Sequence, residues 1–156
     1  MYNKLLVPLD GSQFSQCSLD HVRAIAHGCN IPEVVLLRVV EPLSSSDVAG
    51  LAQAGGDSIT KLENANETEA RDYISVMAKR LNEEGLSVKG EVVSGRADET
   101  IVDYAKKNRI DLIIMSSHGR SGISRWVMGS VADRVMRTSL VPVMLVPTPG
   151  CRIAQG

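Results

Sequence analysis

Residues 111–130, DLIIMSSHGRSGISRWVMGS, decide how the rest of the chain is read. Leu112 to Met115 form a continuous apolar run of strand length. The run breaks at Ser116 into small and polar residues, Ser116, Ser117, His118, Gly119, Arg120, Ser121 and Gly122. It closes on Gly129-Ser130, directly before VADRVMR, where Ala132, Val135 and Met136 recur at helical spacing. A buried strand therefore feeds a glycine-bearing loop, and the loop feeds a helix N-terminus.

The first turn of a helix carries unpaired N–H groups and partial positive charge, so it attracts anions. Gly119 and Gly129 lack a Cβ, which lets a ligand approach the main chain, and Ser130 can cap the helix or meet a phosphate. Arg120 adds a cation beside the loop. The stretch reads as a phosphate cradle; the plainer reading makes its glycines turn residues.

Outward from this stretch, strands and helices alternate. Lys4 to Leu9 is a short strand ending in Pro8-Leu9-Asp10-Gly11-Ser12, with Pro8 as a strand stop and Asp10 to Ser12 as turn and cap chemistry. A helix over 13–28 is expected to bury Val22, Ile25, Ala26 and Cys29, with His21 and His27 solvated. Glu33 to Val40 is apolar at nearly every position, as in a parallel sheet covered on both faces. Residues 43–58 have weak patterning and are expected to form a mobile loop. A long helix follows from Ile59 to Glu84, with Ile74, Met77, Ala78 and Leu81 inward and Glu63, Glu67, Glu69, Lys79 and Glu83 outward. Leu86 to Val93 alternates and belongs toward a sheet edge; Asp98 to Asn108 is a short helix; Val141 to Val146 is the last strand. Residues 148–156 are expected to fray.

This order gives one α/β domain, an open parallel sheet with helices on both faces. Ligands in such sheets bind beyond the carboxyl ends of the strands, where strand order reverses. If the first and fourth strands are neighbours, Asp10 faces the glycine loop. An acidic group, a phosphate cradle and apolar walls then share one floor, which suits a nucleotide.

Composition narrows the function. The 156 residues carry a net charge of −1, so there is no electrostatic footprint for nucleic acid or an acidic membrane. Aromatic residues make up 3%, too few for a base-stacking platform. The apolar run Leu5 to Leu9 is neither a signal peptide nor a membrane span, and a cytoplasmic protein is expected. Cys17, Cys29 and Cys151 are odd in number and widely spaced, with no CxxC pair. They read as free thiols in a reducing compartment, without a disulfide frame or zinc site.

The chain resembles the universal stress protein family over residues 2–147, through KLLVPLDGS, VVLLRVV, SSHGRSGISRWVMGSVADRVM and VPVMLV. The ATP-binding branch of that family carries Gly, two residues, Gly, nine residues, then Gly-Ser or Gly-Thr. Here Gly119, residues 120–128 and Gly129-Ser130 match, while Ser116 stands in place of the first glycine. The resemblance implies a five-stranded sheet in the order 3-2-1-4-5, the adenine nucleotide alpha hydrolase-like fold, in a single domain over residues 1–147. It implies ATP as ligand, with Mg or Mn as accompanying ion, and a homodimer formed through Val141 to Val146, an edge that otherwise stays unpaired. Position by position, it implies Pro8 and Asp10 at the nucleotide, Val39 at the adenine, and Met115 and Ser116 beneath the ribose and base. Gly119, Gly129, Ser130 and Val131 fall at the phosphates, with Arg120 in the same loop. Pro8 also reads as a strand stop, and Val39 and Met115 as core.

No Walker A lysine, HExxH, GxSxG or paired catalytic cysteine and histidine stands in the chain. Asp10 could hold a metal through water, but one carboxylate is a thin basis for catalysis. The expected function is ATP binding as a state signal in a stress response, with hydrolysis slow or absent. The alternatives are a slow ATPase, a dimeric interaction protein of the non-nucleotide branch in which Ser116 blocks the pocket, and an AMP or cyclic-nucleotide binder.

Overall fold

The computed structural model describes residues 1–53, 55–118, 128–148 and 151. Five parallel strands form one sheet: β1 Lys4–Pro8, β2 Glu33–Val40, β3 Val88–Ser94, β4 Leu112–Ser116 and β5 Val143–Val146. Their order is β3-β2-β1-β4-β5, with every pair parallel. Five α-helices are described, α1 Leu19–Gly28, α2 Ser45–Ala52, α3 Gly56–Glu83, α4 Ala97–Lys107 and α5 Ser130–Thr138.

Successive strand residues point to opposite faces, so each strand feeds two layers. Leu5, Val7, Val34, Leu36, Leu112 and Ile114 pack with Leu19, Val22 and Ala26 of α1 and Ile74, Met77, Ala78 and Leu81 of α3. Leu6, Val35, Leu37, Ile113 and Met115 pack with Ile101 and Ala105 of α4 and Ala132 and Val135 of α5. The inner face expected for the long helix is thus the one buried. Its acidic residues Glu63, Glu67 and Glu83 are exposed, as are His21 and His27.

Chain direction across the sheet reverses between β1 and β4, and Asp111 fixes the pairing there. Its Oδ2 accepts from the N–H groups of Asn3 and Lys4 at 2.7 and 2.9 Å, while its own N–H donates to the Lys4 carbonyl at 2.9 Å. Leu5 then lies opposite Leu112 and Leu6 opposite Ile113, which brings the far ends of β1 and β4 side by side.

Several expectations need correction. Residues 43–58 hold a helix: the Ser44 hydroxyl accepts from the Asp47 N–H at 3.2 Å, and Asp47 Oδ2 accepts from the Ser44 N–H at 3.2 Å. This is a capping box. No residue of α2 is buried, so the sequence there carries no core periodicity. The helix expected over 13–28 begins as a 3-10 turn, Ser15–Ser18, before α1. Cys29 was expected in the core but caps the exposed end of α1.

The reading of three free thiols also fails: Cys17 and Cys151 form a disulfide across a sequence separation of 134, and only Cys29 is free. Wide spacing concealed the pair, because only the placement of β5 beside β4 brings residue 151 back to the turn after β1. The inference of a reducing compartment loses its footing with it. Thr148 is buried, although it lies in the stretch expected to fray. No helix among the described residues is long and apolar enough to cross a membrane.

Candidate functional site

A cavity of about 820 Å³ opens beyond the carboxyl ends of β1, β2 and β4. Small-molecule sites fall in this size range, and in open parallel sheets they lie at this switch point. The lining comes from the ends of β1, β2 and β4, the starts of α4 (Ala97, Ile101) and α5, and α3.

The end of β1 supplies Pro8, Leu9 and Asp10. Asp10 Oδ1 accepts from the Ser12 N–H at 2.9 Å and the Ser12 hydroxyl at 2.6 Å, and Ser12 Oγ accepts from the Ser15 N–H at 3.2 Å. A carboxylate bonded to the backbone two residues on closes a tight turn. Gly11, at φ 87°, takes the left-handed conformation that this turn needs.

The end of β2 supplies Leu37 to Glu41. Glu41 Oε1 accepts from the Ala97 N–H at 3.1 Å, which ties this wall to the start of α4. Beside it, Asp98 is 7% exposed and accepts from Arg96 at 2.8 and 3.0 Å and from Arg134 of α5 at 3.2 Å. Hydrogen bonds from Arg96, and then from Arg134, hold the Asp98 carboxyl well below the usual carboxylate range against the opposing effect of burial. The same pairing raises Arg96 above its ordinary value.

The third wall is the end of β4 with the N-terminus of α5: Met115, Ser116, Ser117, His118, Gly129, Ser130 and Val131. Ser130 was expected as a possible cap, but Gly129 takes that position and Ser130 opens the helix. Gly129 has ordinary dihedrals, φ −61° and ψ 149°, so space and not conformation demands glycine. A Cβ there would lie 3.1 Å from the Ser117 carbonyl oxygen and 3.6 Å from His118 Cα. Among the described residues no side chain caps this helix end, and the residues carrying its first N–H groups, Ser130 to Ala132, line the cavity.

Ser116 is buried, and its hydroxyl donates to the His118 carbonyl within the loop. His118 is 6% exposed; its Nδ1 hydrogen-bonds with the Ser117 hydroxyl at 3.0 Å and the Thr148 hydroxyl at 3.2 Å. Its Nε2 is buried with no partner among the described residues. The fourth side is α3, through Asn66 and Glu69.

The fold thus brings Pro8, Asp10, Val39, Met115, Ser116, Gly129, Ser130 and Val131 to one cavity. Gly119 and Arg120 lie outside the described residues. Sequence reasoning missed Arg38, Asn66 and Glu69 as lining residues. Arg38 directly precedes Val39, which had been singled out, so adjacency was a usable signal. Asn66 and Glu69 sit on a helix read only as a solvated face and offered none. No group of three or more His, Cys, Asp or Glu side chains suited to a metal occurs among the described residues.

The chain matches the model of the universal stress protein family over residues 1–147. It is 33% identical over 155 residues to universal stress protein MJ0577 of Methanocaldococcus jannaschii, covering 94% of this chain and 95% of that one. The solved structure of MJ0577 superposes with a TM-score of 0.79 at 31% identity, covering 94% and 96% of the two chains. Universal stress protein UspA from Lactobacillus plantarum superposes at 0.78 and 24% identity, covering 93% and 97%. A family protein from Arabidopsis thaliana with AMP bound shares the fold at 0.64 and 16% identity, covering 93% and 91%.

Proposed function

The chain belongs to the universal stress protein family, and we propose that it binds ATP and serves as a nucleotide-dependent regulator in a stress response, with hydrolysis slow or absent. The observation that carries this reading is the meeting of Asp10, Val39 and the start of α5 around one cavity of about 820 Å³. In it the adenosine lies between the ends of β1 and β2, and the phosphates lie against Gly129, Ser130 and Val131. Helix N–H groups and the helix dipole supply the anion affinity. The AMP held by the Arabidopsis thaliana protein makes an adenine nucleotide a reasonable first ligand to test.

An accompanying Mg or Mn ion would be held by the phosphates, with Asp10 reaching it through water. Asp10 Oδ1 is already engaged by Ser12, which favours that indirect role. Among the described lining residues none pairs a positioned base with a metal-anchoring group, so turnover is expected to be slow.

A second reading, an interaction protein without nucleotide, rests on Ser116, whose Cβ stands where the ATP-binding pattern has none. Its hydroxyl is turned to the His118 carbonyl, which favours an open cavity. Either way we propose a homodimer through β5. That strand pairs only with β4 among the described strands, and Val143, Met144 and Leu145 are half-buried along it. Leu140, just before it, is 85% exposed. Mass spectrometry of small molecules carried through purification tests the ligand without a prior guess. ATP or another adenine nucleotide supports the reading, and a different ligand class in stoichiometric amount overturns it.

A further inference from the structure

We propose that the Cys17–Cys151 disulfide is a redox-sensitive latch that ties Cys151 to the 3-10 turn after β1 and, through Thr148, holds the His118 wall of the cavity in place. The inference goes beyond the identity of the ligand, since the connections exist whatever fills the cavity.

Cys17 lies in the 3-10 turn Ser15–Ser18, directly after the Asp10–Ser12 turn, and Ser15 of the same 3-10 turn lines the cavity. Its partner Cys151 follows β5, and the Cys151 N–H donates to the Thr148 carbonyl at 3.0 Å. Thr148 is buried and hydrogen-bonds through Oγ1 to His118 Nδ1 at 3.2 Å. Ser117 completes the path: its N–H donates to the Val146 carbonyl at 2.9 Å, and its carbonyl accepts from the Gly129 N–H at 2.8 Å. One unbroken run of bonds therefore links the disulfide to Gly129, the residue that caps α5. The third cysteine, Cys29, is exposed at the end of α1, where the chain turns toward the start of β2 at the amino-terminal ends of the strands.

Access is unequal. Cys17 is 5% exposed, whereas Cys151 is partly exposed, so attack is assigned to the Cys151 side of the bond. The chemistry is exchange with a dithiol. A dithiol thiolate attacks Cys151 Sγ, the S–S bond breaks, and Cys17 leaves as a thiolate that takes up a proton. The second thiol of the reductant then attacks the mixed disulfide and releases Cys151, which is protonated in turn. Two electrons pass from the dithiol to the cysteine pair, and the dithiol ends as a disulfide. With the bond open, Thr148 loses its covalent anchor and His118 its fixed neighbour. Local opening of that wall becomes easier while the rest of the sheet keeps its own support.

The test uses the full chain purified without reductant. Alkylation and mass spectrometry should find one labelled thiol, Cys29, before dithiothreitol and three after it. Hydrogen exchange should then quicken by about tenfold or more at residues 117–118, 129–132 and 146–148, with β2, β3 and α4 little changed. Cys151→Ser, and separately Cys17→Ser should that variant fold, should exchange like the reduced protein. Three labelled thiols in the untreated protein would overturn the proposal. So would exchange that is unchanged on reduction or quickened uniformly, since the bond would then be a plain cross-link. Because exchange is read without nucleotide, failure here is separate from failure of the ATP reading.

Discussion

The Gly129 N–H donates to the Ser117 carbonyl at 2.8 Å, and a Cβ built on Gly129 would stand 3.1 Å from that same oxygen. The helix that faces the cavity is thus pinned to the loop after β4 at its cap residue, with only tight space for a side chain on that side. Gly129→Ala is expected to push the two segments apart by a few tenths of an ångström. ATP binding should weaken about tenfold, or about 1.4 kcal/mol. Titration calorimetry on the two proteins checks this.

Asp10 shapes the opposite wall by accepting two hydrogen bonds from Ser12. Asp10→Ala leaves the Ser12 N–H and hydroxyl without that acceptor, at a cost of about 1 kcal/mol and roughly 2–4 °C in melting temperature. Asp10→Asn keeps an acceptor oxygen and should retain most of that stability. Scanning calorimetry of the three proteins separates the two outcomes.

Asp98 sets a pH dependence. Its folded-state carboxyl is held below its ordinary value of 3.8 by Arg96 and Arg134. Such a group adds stability that is fully present at pH above its unfolded-state value and is lost as pH falls from there through the lower folded-state value. Asp98→Asn should therefore melt roughly 2–4 °C lower than the parent at neutral pH. The gap between the two curves should start to narrow below about pH 4 and keep narrowing down to the lowest pH at which both proteins still melt. Thermal melts across that range read the convergence directly.

The β5 edge predicts the assembly. Met136 and Leu140 are 45% and 85% exposed beside it, so replacing both by Lys should disturb the dimer and not the core. Sedimentation should show a dimer for the parent and a monomer for the double variant, with unchanged circular dichroism.

How much of this was legible depended on whether the signal was local. Val34 to Leu37 are buried on both sides of the sheet, so their unbroken apolar run gave β2 its observed limits. Ile74, Met77, Ala78 and Leu81 gave the inner face of α3 through their spacing. The α2 segment was missed because it buries nothing, although Ser44 and Asp47 already spelled a capping box. At the site, residues on strand ends could be singled out because their position in the fold follows from strand order. Asn66 and Glu69 could not, since they reach the cavity only through where α3 crosses the sheet. The Cys17–Cys151 bond is the extreme case, a contact that exists only once all five strands are in place.

The measurement that bears most directly on ATP binding is titration calorimetry of the parent and of Gly129→Asp, which sets a carboxylate against the start of α5. Saturable binding of ATP by the parent, weakened at least about tenfold in the variant, is the predicted result. No heat and no shift in melting temperature for the parent at millimolar ATP would contradict it.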